Sequence, residues 1–218
     1  MAGYDLQMIQ LVVQNILDFK PQNIFEIGSR DGHDTQYLKD VLNIDDSNCY
    51  IFEAHPHCYK QIKEQYKTFN TYHCAITNET KQVEFNAGLV GLENCIGCSS
   101  MLQEAAHRSF KSEKVIVDGW RFSDIYKHLN LTNIDLVKMD VEGHAMEVLE
   151  GFGDILNEVK LLQLELEHKE AWVNQKLYPD VAEFLINNNF EQLVFIRTGH
   201  DQSDSVWVNK QHTNIQLC

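Results

Sequence analysis

The sequence has no run of lysines and arginines, only three prolines, and no stretch of about 18 apolar residues that would span a bilayer. Eighteen basic residues stand against 32 acidic ones, a net charge of −14. Such a surface repels phosphate backbones and anionic lipid, so neither nucleic acid nor membrane is the expected partner. The prolines, at 21, 56 and 179, leave no Pro-rich linker, and there is no internal repeat, so a single domain over 1–218 is expected. No basic segment with a small-residue cleavage site opens the chain, which predicts a cytoplasmic protein with reduced thiols. The cysteines at 49, 58, 74, 95, 98 and 218 are scattered. Their one close pair, Cys95-x-x-Cys98, would be half a zinc site or a redox pair, but no second pair or matched histidines complete it. G-x-G-x-x-G is missing, which argues against a nicotinamide dehydrogenase. The separated prolines rule out N-P-P-Y and with it amino methylation of a flipped base.

What is present alternates between short apolar runs and amphipathic segments. Strands are predicted at 23–28, 49–54, 71–76, 134–140 and 159–167, with helices at 33–42, 57–66, 122–129, from 145, and 180–188. The first segment, 4–19, reads as an amphipathic helix. Residues 83–85 and 114–119 form an extra strand pair within an insert, 77–121, expected to lie over the site. The chain closes on a hairpin, 190–197 with 204–209. This rhythm predicts an α/β fold of the doubly wound, Rossmann-like kind, a mostly parallel sheet covered on both faces with an antiparallel C-terminal edge strand. Ligands of such sheets sit beyond the carboxyl ends of the strands.

The candidate site residues fall at those ends. Glu26-Ile-Gly28-Ser29-Arg30-Asp31-Gly32 ends the first strand and opens a helix. Its glycines allow a sharp turn and close backbone approach, though both are also ordinary turn residues. The acidic Glu26 and Asp31 suit a cationic ligand bearing an amino group, such as a sulfonium amino acid. Glu53, followed by Ala54, ends the second strand, where a carboxylate accepts the hydroxyl protons of a ribose.

The chain resembles the FkbM-type methyltransferases, a branch of the S-adenosylmethionine-dependent class. The resemblance rests on IFEIGSRDG (24–32), FEAHP (52–56), HCAITNE (73–79), GCSSM (97–101) and IDLVKMDVEGHAMEVLEG (134–151), and covers nearly the whole chain. It implies core strands in the order 3-2-1-4-5-7-6 and S-adenosyl-L-methionine as cofactor. It further implies Glu26, Gly28 and Ser29 at the methionine moiety, Glu53 at the ribose, Ala75 and Ile76 near the adenine, and Ser99 or Ser100 lining the site. The acceptor it implies is a small molecule, methylated on a sugar or natural-product hydroxyl. An N-acceptor and a non-catalytic cofactor-binding protein are the alternatives. The family pattern carries Ala then Glu after D-V-E-G, where this chain has His144 and Ala145.

Methyl transfer to a hydroxyl needs a positioned acceptor and a base, or a metal that acidifies the hydroxyl. Asp140, which also borders the cofactor, is the expected base or orienting group, supported by Glu142; as a helix cap it would have a structural role instead. His144 is a second base or a surface residue of the first helical turn. Glu165, with Glu167 and His168, would give an oxygen-rich setting for Mg²⁺. Lys138 is expected to pair with Glu165 or a nearby carboxylate as a buried bridge. The segments 77–121 and 168–178 are the expected acceptor walls, with Trp172 and Tyr178 stacking on the acceptor or packing on the sheet, and Arg108 or Arg121 clamping an acidic one.

Overall fold

The computed structural model describes residues 4–91, 96–108, 110–199 and 201–212. The seven strands of the main sheet are β1 (Ile24–Ile27), β2 (Cys49–Glu53), β3 (Asn70–His73), β7 (Ile134–Met139), β8 (Val159–Glu167), β9 (Phe190–Arg197) and β10 (Gln202–Asn209). They lie in the order β3-β2-β1-β7-β8-β10-β9. Counted as core strands one to seven, this is the expected 3-2-1-4-5-7-6. The antiparallel strand is not at the edge, however: β10 is antiparallel to both β8 and β9 and lies between them. The tight hairpin forces β10 beside β9, and β10, with seven of its eight residues buried, takes the inner place.

Alternation along the strands divides the core in two. Phe25, Ile27, Val137, Met139, Leu162 and Leu164 face α4 (Phe122–His128), α5 (Ala145–Phe152) and α6 (Tyr178–Asn187). Phe122 and Phe152 stack there with centroids 4.2 Å apart, a geometry that adds about 0.5–1.5 kcal/mol beyond the burial of the rings. On the opposite face Ile24, Leu136, Leu161 and Ile51 meet α1 (Tyr4–Asn15), α2 (His33–Leu42) and α3 (Pro56–Gln65). The first helix thus stops at Asn15, short of the predicted 19.

The predicted third strand, 71–76, is two strands. The chain leaves β3 at His73, and β4 (Ala75–Ile76) joins β5 (Lys81–Gly88) and β6 (Ser112–Trp120) in a small second sheet, β4-β6-β5. The run 71–76 holds no glycine or proline to mark such a change of sheet. The small sheet holds its own apolar cluster of Ala54, Ala75, Phe85, Ala87 and Val117. No helix among the described residues is long and apolar enough to cross a membrane.

Candidate functional site

The turn after β1 is shaped by close approach. Gly28 has φ +76°, and a Cβ there would lie 1.9 Å from the carbonyl oxygen of Asp140. The Gly28 N–H donates to the Phe52 carbonyl at 3.0 Å and the Asp140 N–H to the Ile27 carbonyl at 3.0 Å, so the ends of β1, β2 and β7 are locked together. Glu53 closes this junction. Its Oε2 accepts the N–H groups of Ser29 (2.9 Å) and Arg30 (2.8 Å), and its Oε1 accepts that of His55 (2.6 Å). Gly32, also left-handed, faces the Tyr66 ring.

A cleft opens above these strand ends. Gly28, Ser29, Asp31, Glu53, Ala54, Ala75, Ile76, Ser99, Asp140, Glu142 and His144, all predicted site residues, line it. Four other predicted residues do not line it: Glu26, Gly32, Ser100 and Glu165. Glu26 is buried beneath the turn, its Oε2 accepting the N–H and hydroxyl of Thr35 and its Oε1 without a partner. Gly32 heads α2, and the Ser100 hydroxyl donates to the Glu142 carbonyl at 2.6 Å. Sequence reasoning passed over Asp34, Phe85, Met101 and Lys138, which also line the cleft. Cys58 and Cys74 line it too, but burial pushes both thiols up to about 12, so neither is a nucleophile at neutral pH. Cys95 lies outside the described residues, and Cys98 is half-buried.

Polar residues climb the α1–α3 face of the sheet rung by rung. Above the apolar row Ile24–Leu136–Leu161 comes Glu26–Lys138–Gln163, and Glu165 pairs in register with Asp204. Lys138 does not pair with Glu165. Its Nζ meets Asp34 Oδ2 on α2 at 2.9 Å, a contact across an αβ crossover that strand patterns do not encode. Burial alone would lower the Lys138 pKa, but Asp34, Glu26 and Asp140 outweigh it and the ammonium is held above its ordinary value. Burial raises Glu26 to about 8 despite Lys138.

Beside the cleft-lining Asp140 and Glu142 stands Glu165, and one oxygen of each of the three lies within 4.8 Å of the others, close enough to share one cation. Burial, compounded by Asp140, Glu142, Asp204 and Glu167, raises Glu165 to about 9. Burial with Asp140 and Glu167 raises Glu142 to about 8, while Arg108 and the Trp172 indole pull it back. Glu142 is held in a left-handed conformation, φ +47°, which a non-glycine residue adopts at a cost of about 1–3 kcal/mol. The predicted trio of Glu165, Glu167 and His168 does not assemble: Glu167 accepts from Gln175 Nε2 (3.1 Å), and the His168 ring bonds the Ser203 hydroxyl (2.9 Å). Asp140 is no helix cap, since α5 starts from His144 with no side-chain cap. His144 is not a surface residue. It is buried against the Thr77 hydroxyl (Nε2 to Oγ1, 3.0 Å), and burial lowers it to about 4, so it is neutral.

Carboxyl groups held above the ordinary 4.5 favour the fold while protonated and oppose it once ionised. Their stabilising share is complete below that ordinary value and is lost as pH rises through about 8 to 9. The melting temperature should therefore fall between about pH 6 and pH 9.5, and Glu165→Gln should flatten that fall. Melting curves for the two proteins check this, and parallel pH slopes contradict it.

The two segments expected to wall the acceptor hold each other. The Ala105 N–H donates to the Ala171 carbonyl (3.0 Å) and the Val173 N–H to the Gln103 carbonyl (2.7 Å). Gln175 Oε1 receives the N–H groups of Ala171 and Trp172. Trp172 packs on Gly143, where a Cβ would meet its ring at 2.4 Å, and Arg108 lies over the rings of Phe110 (4.5 Å) and Trp172 (5.0 Å).

Residues 26–192 match the family described as Methyltransferase FkbM domain. No curated protein sequence matches the chain. Among solved structures, the chain is similar to a methyltransferase FkbM from Methylobacillus flagellatus KT, with a TM-score of 0.58 and 11% identity over 87% of this chain. It spans 44% of that protein's length. It is also similar to M. capricolum TrmK in complex with S-adenosyl-homocysteine (TM-score 0.55, 11% identity, 100% of this chain and 73% of that one). A third is Aeropyrum pernix fibrillarin with natively bound S-adenosyl-L-methionine (TM-score 0.53, 11% identity, 93% and 74%). At such identities the likeness is one of fold.

Proposed function

The chain belongs to the FkbM methyltransferase family, and on that premise we propose that it transfers the methyl group of S-adenosyl-L-methionine to a hydroxyl of a small acceptor, a sugar or a natural product. One observation carries the reading: a single cleft is lined by the Gly28 turn and Glu53 together with Asp140 and Glu142, whose carboxyl groups lie within 4.8 Å of that of Glu165.

The residues present fit the donor. Glu53 Oε1 receives one backbone N–H and keeps a lone pair for a ribose hydroxyl. Ala75, Ile76, Phe85 and Met101 offer apolar contact to an adenine ring. The unpartnered Glu26 Oε1 and the carboxylates of Asp34 and Asp140 suit a sulfonium amino acid with its ammonium group. Bound there, the donor supplies an electrophilic methyl group. The protein's part is to hold the acceptor in line with it, exclude water and take up the hydroxyl proton. Asp140 is the proposed base, since it borders the donor end and the carboxyl cluster alike. Glu142 and Glu165 share the cluster's protons with it, while neutral His144 and Thr77 close the cleft's rim. The carboxyl cluster and a net charge of −14 support a small acceptor over a nucleic acid.

Calorimetric titration tests the donor assignment. S-adenosylmethionine should bind and NAD should not, and Glu53→Ala should weaken donor binding by about tenfold or more, the size of a lost hydrogen bond to a charged group. Donor binding untouched by Glu53→Ala contradicts the reading.

A further inference from the structure

The donor's methionine tail carries a carboxylate as well as an ammonium, in a cleft lined mostly by acids. Helix starts commonly meet an anion with free N–H groups. Here most of them are taken. The amides of Gly28, Asp31 and Gly32 donate to Phe52 O, Ser29 O and Ser29 Oγ. Those of Ser29 and Arg30 donate to Glu53, that of His33 to Asp31 Oδ1, and that of Thr35 to Glu26 Oε2. A side-chain cation is the stronger partner for a carboxylate, and Arg30 and Lys138 are the cleft-lining lysine and arginine residues. The Arg30 side chain is 65% exposed and already bonded to Asp31. The Lys138 side chain is 4% exposed, on the same rung as Glu26 and bonded to Asp34, which lines the cleft beside it.

We propose that the buried Lys138–Asp34 ion pair is the receptor for the methionine zwitterion, Lys138 taking the carboxylate and Asp34 the ammonium. The inference rests on the donor assignment above. Lys138 has three N–H donors and spends one on Asp34, so it accepts a second anion without breaking the first contact. Two ion pairs set head to tail then neutralise one another in a buried setting, where unpaired charges are costly. The ammonium is desolvated only when the ligand carries both charges, so the pair also selects for an intact amino acid.

A ligand–mutant cycle tests this. S-adenosylhomocysteine, with both charges, and 5′-methylthioadenosine, with neither, are titrated calorimetrically into the wild type, Lys138→Met, Lys138→Arg and Asp34→Asn. Lys138→Met should weaken S-adenosylhomocysteine by about tenfold to a hundredfold and leave 5′-methylthioadenosine within about threefold, as the loss of a charge-assisted contact requires. Lys138→Arg should restore most of the difference, and Asp34→Asn, at the half-exposed end of the pair, should reproduce a part of it. Equal loss for both ligands, or no loss for either, overturns the proposal and leaves Lys138 a structural bridge. If Lys138→Met does not fold, Asp34→Asn and Lys138→Arg decide, and equal effects on the two ligands overturn it. Failure of the wild type to bind S-adenosylhomocysteine overturns the donor assignment itself and this inference with it.

Discussion

Asp140→Asn should lower the rate of methyl transfer at saturating donor by about a hundredfold or more, a loss beyond any weakening of donor binding. The change keeps the size of the side chain and removes its capacity to take a proton. General-base catalysis is typically worth about 10²–10⁴ in rate. Asp140 stands where the end of β7 reaches the donor turn, its own N–H fixed by the Ile27 carbonyl, so the asparagine should sit in the same place. The cluster around it makes a second expectation possible on the same enzyme. With Glu142 raised to about 8 and Glu165 to about 9, the carboxyl groups hold shared protons at neutral pH. Wild-type turnover should rise as these are lost toward pH 8–9, and Glu165→Gln should move that rise to lower pH, since one like charge has gone. The measurement is single-turnover transfer against pH once an acceptor is in hand. A rate for Asp140→Asn close to wild type would remove Asp140 from the chemistry and leave positioning alone to explain the catalysis.

The largest structural effect is expected at Gly28. An alanine Cβ would lie 1.9 Å from the Asp140 carbonyl oxygen, a backbone atom in the middle of the sheet, at φ +76°. Either β1 or β7 must move, and both are pinned by the bonds from Gly28 to Phe52 and from Asp140 to Ile27. Gly28→Ala should cost about 3–5 kcal/mol, which for a chain of this length lowers the melting temperature by about 10 °C or more. Gly91→Ala is the control. Its φ is +84°, yet nothing lies within 4 Å of the added methyl, so only the left-handed conformation is penalised, about 1–2 kcal/mol. Equal losses at the two positions would mean that strain in φ, not the approach of the strands, fixes the glycine.

Much of this arrangement was legible in the residues because local patterns carry it. Alternation marks β7 and β8, and it also places Lys138 and Gln163 on the face of Leu136 and Leu161. Strand ends followed by Gly28, Glu53 and Asp140 mark the cleft, since a doubly wound sheet collects its ligands there. What stayed hidden depends on contacts between segments far apart in sequence. The Lys138–Asp34 pair spans 104 residues, and either of several acids would have satisfied the lysine on pattern alone. Ser100 was expected at the cleft, and it is there to brace Glu142 from behind. Trp172 could have stacked on an acceptor; instead Gly143 makes room for it against the turn that carries Glu142. The break at Cys74, where the chain changes sheets, has no glycine or proline to announce it.

The two acceptor walls have a consequence for exchange between related enzymes. Residues 103–105 and 171–173 are joined backbone to backbone, while the donor turn belongs to β1 and β2. The acceptor side is therefore a unit of inheritance made of two separate stretches of chain. A chimera that imports a new 101–111 segment without its matching 168–178 loop would meet a foreign edge and lose the ladder that holds Trp172. Transplanted together, the two should carry a new acceptor preference onto an unaltered donor half. If these stretches wall the acceptor as proposed, specificity should be grafted in pairs, and a single crossover within either stretch should be the least productive way to change it.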